Sequence, residues 1–254
     1  MTTAGSPELA LTQWRRPTPW SHGWFVTRVW LLRLRRMASD LVRGPRRLQR
    51  GDAAAFTAVC GQSLTRLMGD RRPAEEEYQL GKIINLRRAA ASLDGLVLPA
   101  GATFSFWRQV GPATSTRGFV VGRMLQQGCL VPAVGGGLCQ LSNALYDVAL
   151  QAGCEIIERH GHSRVVPGSD AESGRDATVA WNYVDLRFRS SRPLRLDVRL
   201  ENGVLEVSLT GRLQDGGSAK PVTAMTLLET PLAHARSCAT CDEVKCFRHE
   251  KRQA

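Results

Sequence analysis

Three glycines, one spacer and a cysteine, Gly135-Gly136-Gly137-Leu138-Cys139, followed by Gln140, carry the clearest chemical suggestion in this chain. Glycines ahead of a helix permit backbone angles closed to other residues and let a ligand approach closely. The N-terminal amides of such a helix form a natural pocket for an anion or an oxyanion. A cysteine in the first turn sits at the positive end of the helix dipole, which favours thiolate. Asn143 and Tyr146 fall on the same helical face as Cys139 and are expected to line a cleft beside it. A thiol nucleophile needs a base, and His160 and His162 lie close together in Arg159-His160-Gly161-His162-Ser163-Arg164. Asp176 is the nearest strong candidate for a carboxylate that orients the histidine. The same spacings also suit a core thiol at a helix start and a surface histidine, and both readings stand at this point.

A second cluster, Cys238, Cys241, Cys246 and His249, reads C-x2-C-x4-C-x2-H near the C-terminus. Four thiolate and imidazole ligands at this spacing suit a structural tetrahedral zinc that organises a loop too short for its own core. An iron–sulfur cluster and a metal-free tail are the competing readings. The other thiols, Cys60, Cys129 and Cys154, sit in apolar or glycine-rich surroundings and read as inert.

The elements that must position these residues emerge from periodicity. Leu138, Leu141, Leu145, Val148 and Ala152 recur at helical spacing, so a buried helix should start near the triple glycine and stop at Gly153. Glu75-Glu76-Glu77 followed by Lys82, Arg87 and Arg88 has the charge order of a helix that ends near Asp94-Gly95. Another short helix, carrying Cys60, is expected over 53–67. Leu96 to Phe106 reads as strand broken by Pro99-Ala100-Gly101, and Gly111 to Gly137 as loop with short strands. Alternation in Leu194, Leu196, Val198 and Leu200, then Leu205, Val207 and Leu209, around Asn202-Gly203 predicts a β-hairpin. The expected fold is α+β, with N-terminal helices followed by a mixed or antiparallel β body.

Near the N-terminus, Val26, Trp30, Leu34, Met37 and Leu41 form one helical stripe, with Arg28, Arg35, Arg36 and Arg43 opposite. The plainest expectation packs this stripe on the body and leaves the arginines solvated. The alternatives lay the helix on anionic lipid with Trp24 and Trp30 as anchors, or on nucleic-acid phosphate.

Charge distribution speaks against the last. The chain has 254 residues and a formal charge of +11. Its first 72 residues hold 13 Arg and 4 acidic residues, while the remainder is almost balanced. A basic segment therefore precedes a nearly neutral body, and a nucleic-acid-coating domain is disfavoured. There is no apolar run of about 18 residues and no basic start leading into an apolar stretch. The expected location is cytoplasmic, or peripheral at the cytoplasmic membrane.

From Leu98 to about Arg189 the chain resembles the VanW family. The matching words are Leu98-Pro99-Ala100-Gly101 with Thr103-Phe104-Ser105-Phe106, Val110-Gly111-Pro112, Gly118-Phe119, the stretch Gly135 to Tyr146, Glu158-Arg159-His160 with His162-Ser163, and Gly174-Arg175-Asp176-Ala177-Thr178-Val179. The resemblance implies a division into an Arg-rich extension (1–52), a helical lead-in (53–97), a VanW domain (98–212) and a linker with a Cys-rich tail (213–254). Some VanW-domain proteins are linked to peptidoglycan as L,D-transpeptidases with a cysteine nucleophile. By that resemblance Cys139 is the nucleophile, His162 the base with His160 behind it, and Asp176 the third member. Gly135, Gly136, Gly137 and Gln140 would frame the oxyanion, with Asn143, Tyr146 and Ser163 against a stem peptide or its precursor. The alternative is a non-enzymatic accessory protein that binds in the same cleft and is linked to cell-wall metabolism or glycopeptide resistance.

Overall fold

The computed structural model describes residues 18–68, 75–126, 129–161, 174–213 and 246. The α+β expectation holds: helices pack against antiparallel sheets around one main apolar core. Among the described residues the order begins with α1 (Pro19–Arg43) and β1 (Gln49–Arg50), continues through β2 (Ala58–Arg66), α2 (Glu76–Leu93) and β3 (Leu96–Leu98), and reaches β4 (Thr103–Ser105) and the short α3 (Phe106–Val110). Then come β5 (Val121–Gln126), β6 (Cys129–Val134), α4 (Cys139–Gln151), β7 (Glu155–Glu158), β8 (Arg187–Arg189), β9 (Leu194–Glu201) and β10 (Val204–Gly211).

One five-stranded antiparallel sheet runs in the order β1-β3-β9-β10-β2, and a three-stranded sheet in the order β4-β8-β7. Strands β5 and β6 pair as a separate ribbon. The β9–β10 hairpin turns at Asn202 (φ 51°) and Gly203 (φ 75°), the two positive angles that a type I′ turn demands. Its inward residues, Leu194, Leu196 and Val198 with Leu205, Val207 and Leu209, are buried in alternation. Leu86, Ala89, Ala90 and Leu93 give α2 its buried stripe, and Gly81 lets that helix lie on β5, since a Cβ there would meet the Val121 carbonyl oxygen at 1.9 Å. Leu96 to Phe106 does break at Pro99–Gly101, but the two halves enter different sheets.

Two expectations need correction. Residues 53–67 do not form a helix: a single 3-10 turn at Ala53–Ala55 leads into β2, which carries Cys60. Gly61, Ser63 and Thr65 alternate inward along this edge strand. Gly61 also admits α4, because a Cβ would come within 2.6 Å of the Val148 carbonyl oxygen. The helical stripe of α1 does not pack on the body either. Trp30, Leu34, Met37 and Leu41 are exposed, and the helix is fastened through polar groups instead. Arg33 Nε donates to the Trp181 carbonyl at 2.7 Å, Arg36 forms a bidentate pair with Glu158, and Arg187 Nη2 donates to both Asp40 oxygens at 2.8 and 2.9 Å. The surface α1 meets is charged, and the face that fits it carries Arg33, Arg36 and Asp40, while Arg28 and Arg35 stay exposed. Among the described residues no helix is long and apolar enough to cross a membrane.

Candidate functional site

The triple glycine earns its place through packing. Gly135 and Gly137 have φ of 77° and 94°, which only glycine adopts cheaply. At Gly136 a Cβ would fall 2.4 Å from the carbonyl carbon of Gly122 and 2.6 Å from the amide nitrogen of Arg123, so here the close approach is made by the protein's own β5 backbone. Asn85, fully buried in α2, secures the junction. Its side-chain amide donates to the carbonyls of Val120 (3.0 Å) and Gly136 (2.9 Å), and its Oδ1 accepts from the Val120 amide at 2.9 Å. Gly136→Ala should therefore cost about 2–3 kcal/mol, because the atoms a Cβ would meet are all β5 backbone and have little room to relax. A urea midpoint that matches wild type would show that this junction yields easily.

Cys139 begins α4 at the end of that turn and is half-buried at the edge of the core. Its Sγ lies 3.5 Å from Thr178 Oγ1 and 3.9 Å from the Val179 carbonyl oxygen. The segment carrying Thr178 is sewn to the same helix. Asn143 Oδ1 accepts from the Ala177 amide at 2.8 Å, and Ser142 Oγ donates to the Ala177 carbonyl. The Thr178 amide in turn donates to the His160 carbonyl at 2.7 Å, so the His-bearing segment runs alongside. Arg159 ties it down further, donating through Nε to the Asp176 carbonyl at 2.6 Å and stacking over the Tyr146 ring at 5.3 Å. Asp176 itself is buried, and its Oδ2 lies 3.6 Å from where a Cβ on Gly161 would be.

The structure thus gathers Cys139, Asn143, Tyr146, Asp176 and the His160 backbone at one end of α4. The ring of His160 has Nε2 3.3 Å from Glu158 Oε1, and half of the side chain is open to solvent. Gln140 turns away to β2, donating to Thr65 Oγ1 (2.9 Å) and the Arg66 carbonyl (2.8 Å). His162 and Ser163 lie outside the described residues, as do Cys238, Cys241 and His249; Cys246 is described and buried. Among the described residues no cluster of three or more His, Cys, Asp or Glu could hold a metal. The thiol of Cys154, at the far end of α4, is pushed up to about 11 by burial, against a hydrogen bond from Ser190, which makes it unreactive at neutral pH.

Thr178 and Glu158 were not singled out from sequence as site residues. Both stand inside family words, but the role of Glu158 comes from contacts across the fold. Burial raises the Glu158 carboxyl, but the hydrogen bond and charge of Arg36, the Asp185 amide and the Arg187 charge outweigh it, and the group ends below its usual range. A carboxylate lowered by folding adds stability above its unfolded value, about 4.3, and loses that contribution as pH falls through the lower folded value. Arg36→Met should flatten this part of the acid limb. Thermal midpoints at about pH 6 and about pH 3.5 should differ less in the variant than in wild type.

Comparison with known proteins supplies the family. A model described as "VanW like protein" matches residues 81–210. The Vancomycin B-type resistance protein VanW of Enterococcus faecalis (strain ATCC 700802 / V583) is 42% identical over 118 residues, covering 44% of this chain and 42% of that protein. Protein YoaR of Bacillus subtilis (strain 168) is 34% identical over 127 residues, covering 49% of this chain and 41% of that protein. The chain therefore spans about two fifths of the length of these relatives. No solved structure matches it significantly. The match over 81–210 takes in half of the chain, including most of α2, the glycine turn, Cys139 and the β9–β10 hairpin, and the chain belongs to the VanW family.

Proposed function

We propose that the chain is a cysteine-dependent acyltransferase, L,D-transpeptidase-like, acting on peptidoglycan stem peptides or their precursors. The observation that carries this reading is the setting of Cys139. Its half-buried sulfur stands at the first turn of α4, faced by the Thr178 hydroxyl, with the His160 backbone bonded to the Thr178 amide. A sealed apolar pocket would have argued for an inert core thiol. In the proposed reaction the thiolate attacks the carbonyl carbon of an amide in the stem peptide, and the positive end of the α4 dipole steadies the charge that develops on the oxygen. The carbon–nitrogen bond then breaks, and the leaving amine receives the proton that the histidine took from the thiol. An amine of a second stem attacks the thioester, restoring the thiol. His162, two residues after His160, is the proposed base by the family resemblance; His160, paired with Glu158, is the alternative.

The test incubates the full chain with a stem-peptide donor, quenches in acid and looks for the acyl mass on the peptide containing Cys139. A thioester at Cys139 supports the proposal. Stem-peptide binding with no thioester would favour the accessory-protein reading, for which the commitment of His160 Nε2 to Glu158 speaks.

A further inference from the structure

We propose that α1 docks on the surface of an anionic lipid bilayer. This inference is independent of the chemistry assigned to Cys139. Trp20, Trp24, Trp30, Leu31, Leu34 and Leu41 are each 55–90% exposed, a density of large apolar groups far above that of an ordinary solvent-facing helix. The helix has 25 residues, so the face extends over about 37 Å. The side turned to the body is already occupied, by Arg33, Arg36 and Asp40 in the hydrogen bonds to Trp181, Glu158 and Arg187. The apolar face is therefore left outward while the helix is held.

Charge decides the occupant. Arg28 and Arg35 lie one turn beyond Trp24 and Leu31 along the edge of the apolar face, and both are exposed. Exposed Arg46 and Arg47 follow the helix. The one acidic residue in α1, Asp40, is turned to Arg187. A second copy of the chain laid against this face would set arginines against arginines with no exposed carboxylate on α1 to pair them. Lipid phosphates supply that negative charge. Tryptophans favour the boundary between headgroups and acyl chains, and arginine stems can lie along apolar surface while their guanidinium groups reach the phosphates.

The experiment is co-sedimentation of the full chain with vesicles of phosphatidylcholine alone or with about 30% phosphatidylglycerol. Partition onto the anionic vesicles should be at least about tenfold stronger, with a blue shift of tryptophan emission, and should fall severalfold in about 0.5 M salt. Leu31→Glu with Leu34→Glu should lower it at least about tenfold, and so should Arg28→Gln with Arg35→Gln, a pair that changes charge but not the apolar face. Neither pair touches the body, so thermal midpoints should stay at the wild-type value, and Cys139→Ala should bind as wild type does. Equal partition onto both vesicle types, or none onto either, would overturn the proposal. A dimer in solution that the Leu31→Glu and Leu34→Glu pair splits, without any vesicle binding, would assign the face to a second copy instead.

Discussion

Cys139→Ala should lower stem-peptide acyl transfer by at least about 10³-fold, while leaving the protein folded. The first half of that expectation follows from chemistry: without the sulfur no thioester forms, and the remaining groups can only orient a donor. The second half follows from geometry. The sulfur's contacts with Thr178 Oγ1 and the Val179 carbonyl, at 3.5 and 3.9 Å, are long, and the side chain is half-buried, so truncation should cost about 1 kcal/mol or less. Thr178→Val separates positioning from attack. It keeps the shape beside the thiol but removes the hydroxyl, and a loss of about tenfold is expected if that hydroxyl steadies the thiolate. Asp176→Asn addresses the third member of the proposed set; a loss of about 10²–10⁴-fold is expected if the carboxylate orients the base. The readouts are kcat with a stem-peptide donor, its pH profile, and the thermal midpoint of each variant. A Cys139→Ala protein that keeps its rate would remove the thiol from the mechanism.

The periodic parts of this fold were legible in the sequence because local and tertiary demands agree there. In α4 the Leu138, Leu141, Leu145 and Val148 stripe is both a helical pattern and the buried face, and in β9 and β10 the alternation, the turn residues and the burial coincide. Strand β2 was missed because Ala53-Ala54-Ala55 begins the segment with strong helix formers, and because its inward residues are Gly61, Ser63 and Thr65, which carry no hydrophobic alternation. The seat of α1 was misjudged for a different reason. Amphipathicity identifies an apolar face but not the surface that will meet it, and the body surface here is made by Glu158, Arg187 and the Trp181 carbonyl, brought together from distant positions. At the site, the cysteine and its helix were readable. The role of the glycines was only half so, since a sequence shows that a close approach is allowed but not that β5 is what approaches.

Asp185→Ala should be the most damaging single change to stability, at about 3–5 kcal/mol. This carboxylate is buried and gathers donors from three elements. Ser105 Oγ donates at 2.6 Å, the Trp107 amide at 3.1 Å, the Leu186 amide at 3.0 Å and Arg187 Nε at 2.8 Å. Removing it strands each of those donors where water has little access and loosens Ser105, the residue that caps α3 through the Arg108 amide. It also takes one carboxylate from Arg187, the same guanidinium that holds Asp40 of α1, so the helix seat should weaken with the core. With about 2–4 °C per kcal/mol for a chain of this size, the thermal midpoint should drop by roughly 10 °C. Asp185→Asn retains an oxygen for the two backbone amides and should lose about half as much. The pH dependence supplies a further check of opposite sign to that of Glu158. Burial raises the Asp185 carboxyl above its ordinary value, despite the hydrogen bonds from Ser105 and Arg187, so its ionisation costs stability as pH rises from about 3.9 through the folded value. The gap between wild type and Asp185→Ala should therefore narrow as pH increases across that window. A urea titration series at several pH values measures it, and a loss below about 1 kcal/mol throughout would mean that the donors around Asp185 find other partners.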